Sequence, residues 1–158
     1  MNKFQEIYDL NIELDKMFIE LYDHHDLVRK NKLELLVEIG ELANETKCFK
    51  YWTKKCPDKE LINEEYADCI IMTLCFFDLK NIELFEIEDK YFHLDIIDMF
   101  GKLYQLASDY YYHDKISTIK EIFILLINLG HKMGLNDEKI IDVTKRKISI
   151  GKERLKSS

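Results

Sequence analysis

Turn-forming residues are scarce in this chain. Its 158 residues include five glycines and a single proline, Pro57. A many-stranded sandwich or barrel uses far more of both, so the composition argues against an all-β architecture. Long apolar runs are missing as well. The nearest candidate, residues 119–129, is too short to cross a bilayer, and the first ten residues carry no apolar signal core. The four cysteines (Cys48, Cys56, Cys69, Cys75) form no Cys-x-x-Cys pair, and no histidine stands at zinc-ligand spacing from them. The expectation is a cytoplasmic protein with reduced thiols, in which Cys69 and Cys75 are small core residues. There is also no glycine-rich phosphate loop, no Gly-x-Ser-x-Gly elbow, no internal repeat and no Gly/Ser linker.

What is present points to packed amphipathic helices. Hydrophobic residues make up 47% of the chain, too many for disorder, and charged residues 34%. The length suits one domain over residues 1–158. The net charge of −7 argues against a general binder of duplex nucleic acid or of an anionic membrane. The charge is uneven. From Lys145 onward, six basic residues stand against one acid, Glu153. That basic run either fraying in solvent or clamping an anion against the acidic body is compatible with the sequence.

Helical periodicity divides the chain into five or six rods, an all-α bundle. The first runs from about Lys3 to Leu21, with Phe4, Ile7, Asn11, Leu14, Phe18 and Leu21 on one face. After a polar stretch, Tyr22–Asn31, a second spans about Lys32–Lys50, with Leu35, Leu36, Ile39 and Leu42 inward. A third runs from about Lys59 to Phe77 and is apolar enough in its second half for burial on several sides. Residues 78–95 lack a clear period and read as a short helix or a mobile crossover. Further helices are expected over about Leu94–Tyr111, Ser117–Met133 and Asp137–Ile150, with Gly134 at a C-cap and Asn136 at an N-cap.

Two acidic boxes carry the chemistry. Glu38-x-x-Glu41 lies on the second helix and Glu65-x-x-Asp68 on the third. A spacing of three puts each pair on nearly one face of its helix. Two such helices packed antiparallel bring four carboxylates together, with Glu45 one turn beyond. Such a cluster needs a positive partner, and Mg²⁺, a hard cation that keeps water and phosphate oxygens in its shell, fits best. The chemistry implied is metal-assisted hydrolysis of a phosphate chain. Glu-x-x-Glu is often only a solvated face, but these acids interleave with the apolar residues of both helices. A di-iron site would need Glu-x-x-His pairs, and neither box ends in histidine.

The run Leu35–Glu45 followed by Cys48-Phe49-Lys50-Tyr51-Trp52, with Glu64–Asp68 after it, closely resembles the signature of the dimeric all-α dUTPases of the MazG-like NTP pyrophosphatase superfamily. Asp9–Asp15 resembles that family's N-terminal Leu-Gln-x-x-Leu-Asp pattern, and Asn128–Ile140 its later helix start. The resemblance implies a homodimer that converts dUTP to dUMP and pyrophosphate, and dUDP is a further possible substrate. Glu38, Glu41, Glu65 and Asp68 would hold Mg²⁺, and Glu41, with Glu38, would act on the attacking water. Asn11, Lys50, Trp52, Lys147 and Arg154 would contact the nucleotide. Asn11 stands where the family has a base-reading glutamine, Ile71 where it has a histidine, and Cys75 where an aromatic faces the sugar. These departures leave room for dCTP or a modified nucleotide as substrate. A helical interaction protein without catalysis is the reading from another class.

Overall fold

The computed structural model describes residues 1–157, and among them the regular elements are six α-helices with no strand. They are α1 (Gln5–Leu21), α2 (Leu27–Thr46), α3 (Lys59–Leu79), α4 (Ile96–His113), α5 (Ile116–Lys132) and α6 (Asp137–Lys156). Helix α3 sits at the centre, against α1, α2, α5 and α6, while α4 bridges α2 and α5. Its burial on several sides is as the composition predicts: Tyr66, Ala67, Cys69, Ile70, Leu74, Phe76 and Phe77 are all fully buried. Gly130 of α5 packs directly on the Tyr66 ring, and Tyr66 Oη donates to the Leu126 carbonyl at 2.7 Å. Any larger residue at position 130 would collide with that ring.

Local chemistry sets the helix ends. Asp58, Asp95 and Asn136 each accept a backbone N–H of the first turn that follows them, at 2.9, 2.8 and 2.8 Å. Helix α5 closes at Gly134, whose φ of +92° suits glycine. The Leu135 N–H reaches back to the Gly130 carbonyl at 2.8 Å and the Gly134 N–H to that of His131 at 3.0 Å, a Schellman closure.

Three features differ from the periodicity. Helix α2 starts five residues before Lys32, inside the stretch read as polar connection. Its first turn points largely to solvent, so no apolar period marks it, and Arg29 Nε grips Asp26 at 2.7 Å beneath it. Phe18 and Leu21 continue the apolar face of α1 but are exposed, and Phe18 lines a cleft shared with α2, α3 and α6. Helix α6 continues six residues past Ile150. Its basic run does not fray: Lys145 pairs with Glu6 at 2.8 Å and Lys152 with Glu13 at 2.6 Å, both on α1. Inside this ionic seam, Leu14, Ile148 and Leu155 form a small apolar cluster.

Residues 80–95 form no helix; they cross over the bundle as an irregular segment with turns at each end. Ile82 is buried, and Phe85, Ile87 and Tyr91 pack on the core. Asn128 of α5 accepts the Lys90 N–H at 3.0 Å and donates to the Glu88 carbonyl at 2.9 Å. Glu121 takes the Tyr91 hydroxyl at 2.7 Å and pairs with Lys90 at 2.9 Å. No described helix is long and apolar enough to cross a membrane.

Candidate metal centre

Helices α2 and α3 bring the two acidic boxes face to face. Carboxylate oxygens of Glu38, Glu65 and Asp68 lie within 4.8 Å of one another. Glu41, one turn along α2, is exposed at the edge of this group and within hydrogen-bonding reach of both Glu38 and Glu65. The quartet read from the sequence therefore converges, with three members in the tight cluster and the fourth beside it. Glu45 is not among the clustered oxygens.

The cluster is electrostatically costly. Burial, then the charges of Asp68 and Glu41, push the Glu38 carboxyl up to about 8. Burial and the neighbouring acids push Glu65 up to about 7. Asp68 is also raised by burial, with Lys147 acting against that rise from 3.3 Å. Glu38 Oε2 and Glu65 Oε2 are buried with no hydrogen-bond partner. Unsatisfied, converging carboxylate oxygens are the donor set that a hard divalent cation requires, so these residues fit one.

Glu38 and Asp68 open into a cleft of 690 Å³ between α1, α2, α3 and α6, well inside the ligand-pocket range of about 300–1,000 Å³. Its basic wall carries Lys147 and Arg154 from α6, with Lys30 of α2 opposite. Its deeper part is lined by Leu14, Asp15, Asn31, Ile71, Met72 and Cys75, among others. Cys75 is thus a cleft residue rather than the core thiol expected from its apolar neighbours, whereas Cys69 is fully buried.

The remaining expected contacts fall outside this cleft. Asn11 is fully buried, donates to the Ile71 carbonyl at 3.2 Å and is absent from the lining; its Oδ1 has no partner. Trp52 is 64% exposed, in edge contact with Tyr51 and Phe49, and also outside the lining. Lys50 lies over the Phe49 ring. Sequence reading missed Asp15, Asn31 and Glu34 as cleft residues. The signal was present, since Asn31, Glu34 and Glu38 share one face of α2 at helical spacing.

Fold and site define the class: an all-α bundle whose clustered carboxylates face a basic helix across a cleft, suited to a cation and an anionic ligand together. The sequence as a whole narrows this further. A family model described as dUTPase matches residues 2–158, and the chain belongs to that family of hydrolases acting on dUTP. Among curated proteins, none matches the chain.

Proposed function

We propose that the protein is a Mg²⁺-dependent dUTP diphosphatase whose triphosphate lies between the carboxylates and the α6 cations. The observation that carries this is the pair of buried, unpartnered oxygens on Glu38 and Glu65, with Lys147 of α6 paired to the adjoining Asp68. Glu38, Glu41, Glu65 and Asp68 would hold the ions. When bound, Mg²⁺ supplies charge neutralisation for the phosphate chain and lowers the pKa of the attacking water. Lys147 and Arg154 hold the outer phosphates through charge-assisted hydrogen bonds. Glu41, the most exposed of the four, accepts the proton of that water. Water then adds across the bond between the α- and β-phosphates, giving dUMP and pyrophosphate.

Purified protein incubated with dUTP and Mg²⁺ is expected to release dUMP, and to stop when the metal is chelated. Absence of turnover with the metal restored would remove the proposal. Asn11, Ile71 and Cys75 depart from the family pattern, so dCTP and modified nucleotides belong in the same assay. A clear preference for one of them would overturn the uracil assignment and keep the mechanism.

We further propose a homodimer. Leu33 and Val37 lie one turn apart on the outer face of α2 and are exposed, as are Phe49, Tyr51 and Trp52 in the connection to α3. A second copy would cover this apolar surface. Sedimentation should give twice the chain mass for the wild type and the chain mass for Val37→Lys; a monomeric wild type would exclude it.

A further inference from the structure

A second set of poorly satisfied hydrogen-bonding groups lies in the same cleft, two helical turns from the carboxylates. Asn31 precedes Glu38 by seven residues on α2, and Cys75 follows Asp68 by seven on α3. At 1.5 Å per residue, each step is about 10 Å along its helix. The two helices run antiparallel, so both steps lead to one place: Asn31 Nδ2 lies 3.6 Å from Cys75 Sγ. Asp15 of α1 joins them there, within hydrogen-bonding reach of the Cys75 thiol. All three residues line the cleft.

These groups are poorly satisfied where they stand. Asn31 is 8% exposed, and among the described residues its amide donors meet only that sulfur, a weak acceptor. Asp15 Oδ2 is buried without a partner. Burying such groups unmatched is costly, and the binding of cations and phosphates uses neither of them. A divalent cation is a poor occupant here, because one carboxylate beside an amide nitrogen and a protonated thiol is too thin a set of hard oxygen ligands, and among the described residues the clustered carboxylates lie at Glu38, Glu65 and Asp68 instead. A donor held only by a weak sulfur acceptor and an unmet carboxylate oxygen, both beside one sulfur, match a ligand edge with an acceptor and a donor side by side. A uracil ring carries that edge at N3–H and the adjoining carbonyl. The separation from the carboxylates is comparable with the reach from the α-phosphate of a nucleotide to the far edge of its base.

We propose that Asn31 and Asp15, brought together on Cys75 at the far end of the cleft, read the base. Asp15 Oδ2 accepts the N3–H, and Asn31 Nδ2 donates to the neighbouring ring carbonyl. Leu14 and Ile71, in the same lining, give the ring and sugar an apolar wall. This assignment rests on the reading of the cleft as the dUTP site.

The test compares dUTP with 3-methyl-dUTP, which lacks the N3 hydrogen, in wild type and Asn31→Leu, both full-length. Binding of Mg²⁺-pyrophosphate reports on the phosphate end alone. Methylation is expected to raise the wild-type KM about 100-fold, because a buried acceptor is left unpaired. Asn31→Leu should raise the KM for dUTP about 30-fold, with kcat within about threefold and pyrophosphate affinity unchanged. Should Asn31→Leu lose pyrophosphate binding through misfolding, the methylated nucleotide on the wild type decides the matter. Equal turnover of both nucleotides by the wild type, or an unchanged dUTP KM in a variant that still binds pyrophosphate, would overturn the proposal. A wild type that binds neither pyrophosphate nor dUTP overturns the cleft reading itself, and the proposal with it.

Discussion

Glu38→Gln is expected to lower dUTP turnover by about 10³-fold, the scale of loss when charge stabilisation at a reacting phosphate is removed. At pH 9, where Glu38 is ionised, the same variant should raise the melting temperature of the metal-free protein by about 3 °C. Both effects have one origin. Glu38 is half-buried beside Asp68, Glu41 and Glu65, and its charge is the hardest of the group to hold, as its rise to about 8 records. Glutamine keeps the shape and removes the charge, so the fold loses a repulsion while the site loses a cation ligand. Stability given up for a charged site is a common trade in enzymes. Steady-state kinetics and a thermal melt without metal check the two halves. A variant with wild-type kcat, or one that melts lower, would show that this carboxylate is not the strained centre of the site.

The second large effect is on stability against pH. Glu38, Glu65 and Asp15 have carboxyls raised to about 8, 7 and 7. Each holds its proton more tightly in the folded chain than in the unfolded one. Between the ordinary carboxylate range and the raised value, the folded state therefore carries a proton that the unfolded state has released, and stability falls as pH rises. That contribution is complete below about pH 4 and is lost on passing through pH 7 to 8. Asp114 and Asp137 act in the opposite sense. Lys32 and Lys80 hold the first below the usual range and Lys3 and His131 the second, so their contributions fade only in acid. Without metal, the protein should melt a few degrees higher at pH 6 than at pH 9. Added Mg²⁺ should stabilise it strongly at pH 9 and little at pH 5.5, where protons occupy the same oxygens. A melting temperature flat in pH, or equal stabilisation by Mg²⁺ at both values, would contradict this picture.

The acidic boxes were legible because two constraints met in the same residues. Glu38 and Glu41 repeat at helical spacing, and they alternate with Leu35, Ile39 and Leu42, which must face inward. Carboxylates tied to a buried stripe cannot all turn to water, so their convergence follows from packing. The helix starts at Asp58 and Asn136 were equally local, each resting on one side chain and one backbone N–H. Other features depended on what lies across the fold. Lys145 and Lys152 look like a loose basic tail until Glu6 and Glu13 of α1 are placed opposite them. Phe18 and Leu21 follow the inward period of α1, yet both are exposed, Phe18 on the wall of the cleft, which the local pattern does not foretell. Trp52 sits at the end of a signature-like run, and nothing local shows that the chain around it folds away from the cleft. Asn31 offered only its spacing from Glu38, and its meaning comes from Cys75, distant in sequence and held on another helix.

That paired seven-residue spacing has a consequence for what leaves the enzyme. Two rods wound at the same pitch set the gap between the carboxylates and the Asn31–Cys75 contact, and neither can stretch without breaking its own backbone ladder. The cleft then behaves as a caliper of constant opening. A nucleotide reaching from the carboxylates to Asn31 would be gripped at both jaws, and dUMP, which keeps its α-phosphate and base, would span them as well, whereas pyrophosphate would rest against only one. Pyrophosphate, held at one jaw alone, would then leave first, without the bundle having to rearrange.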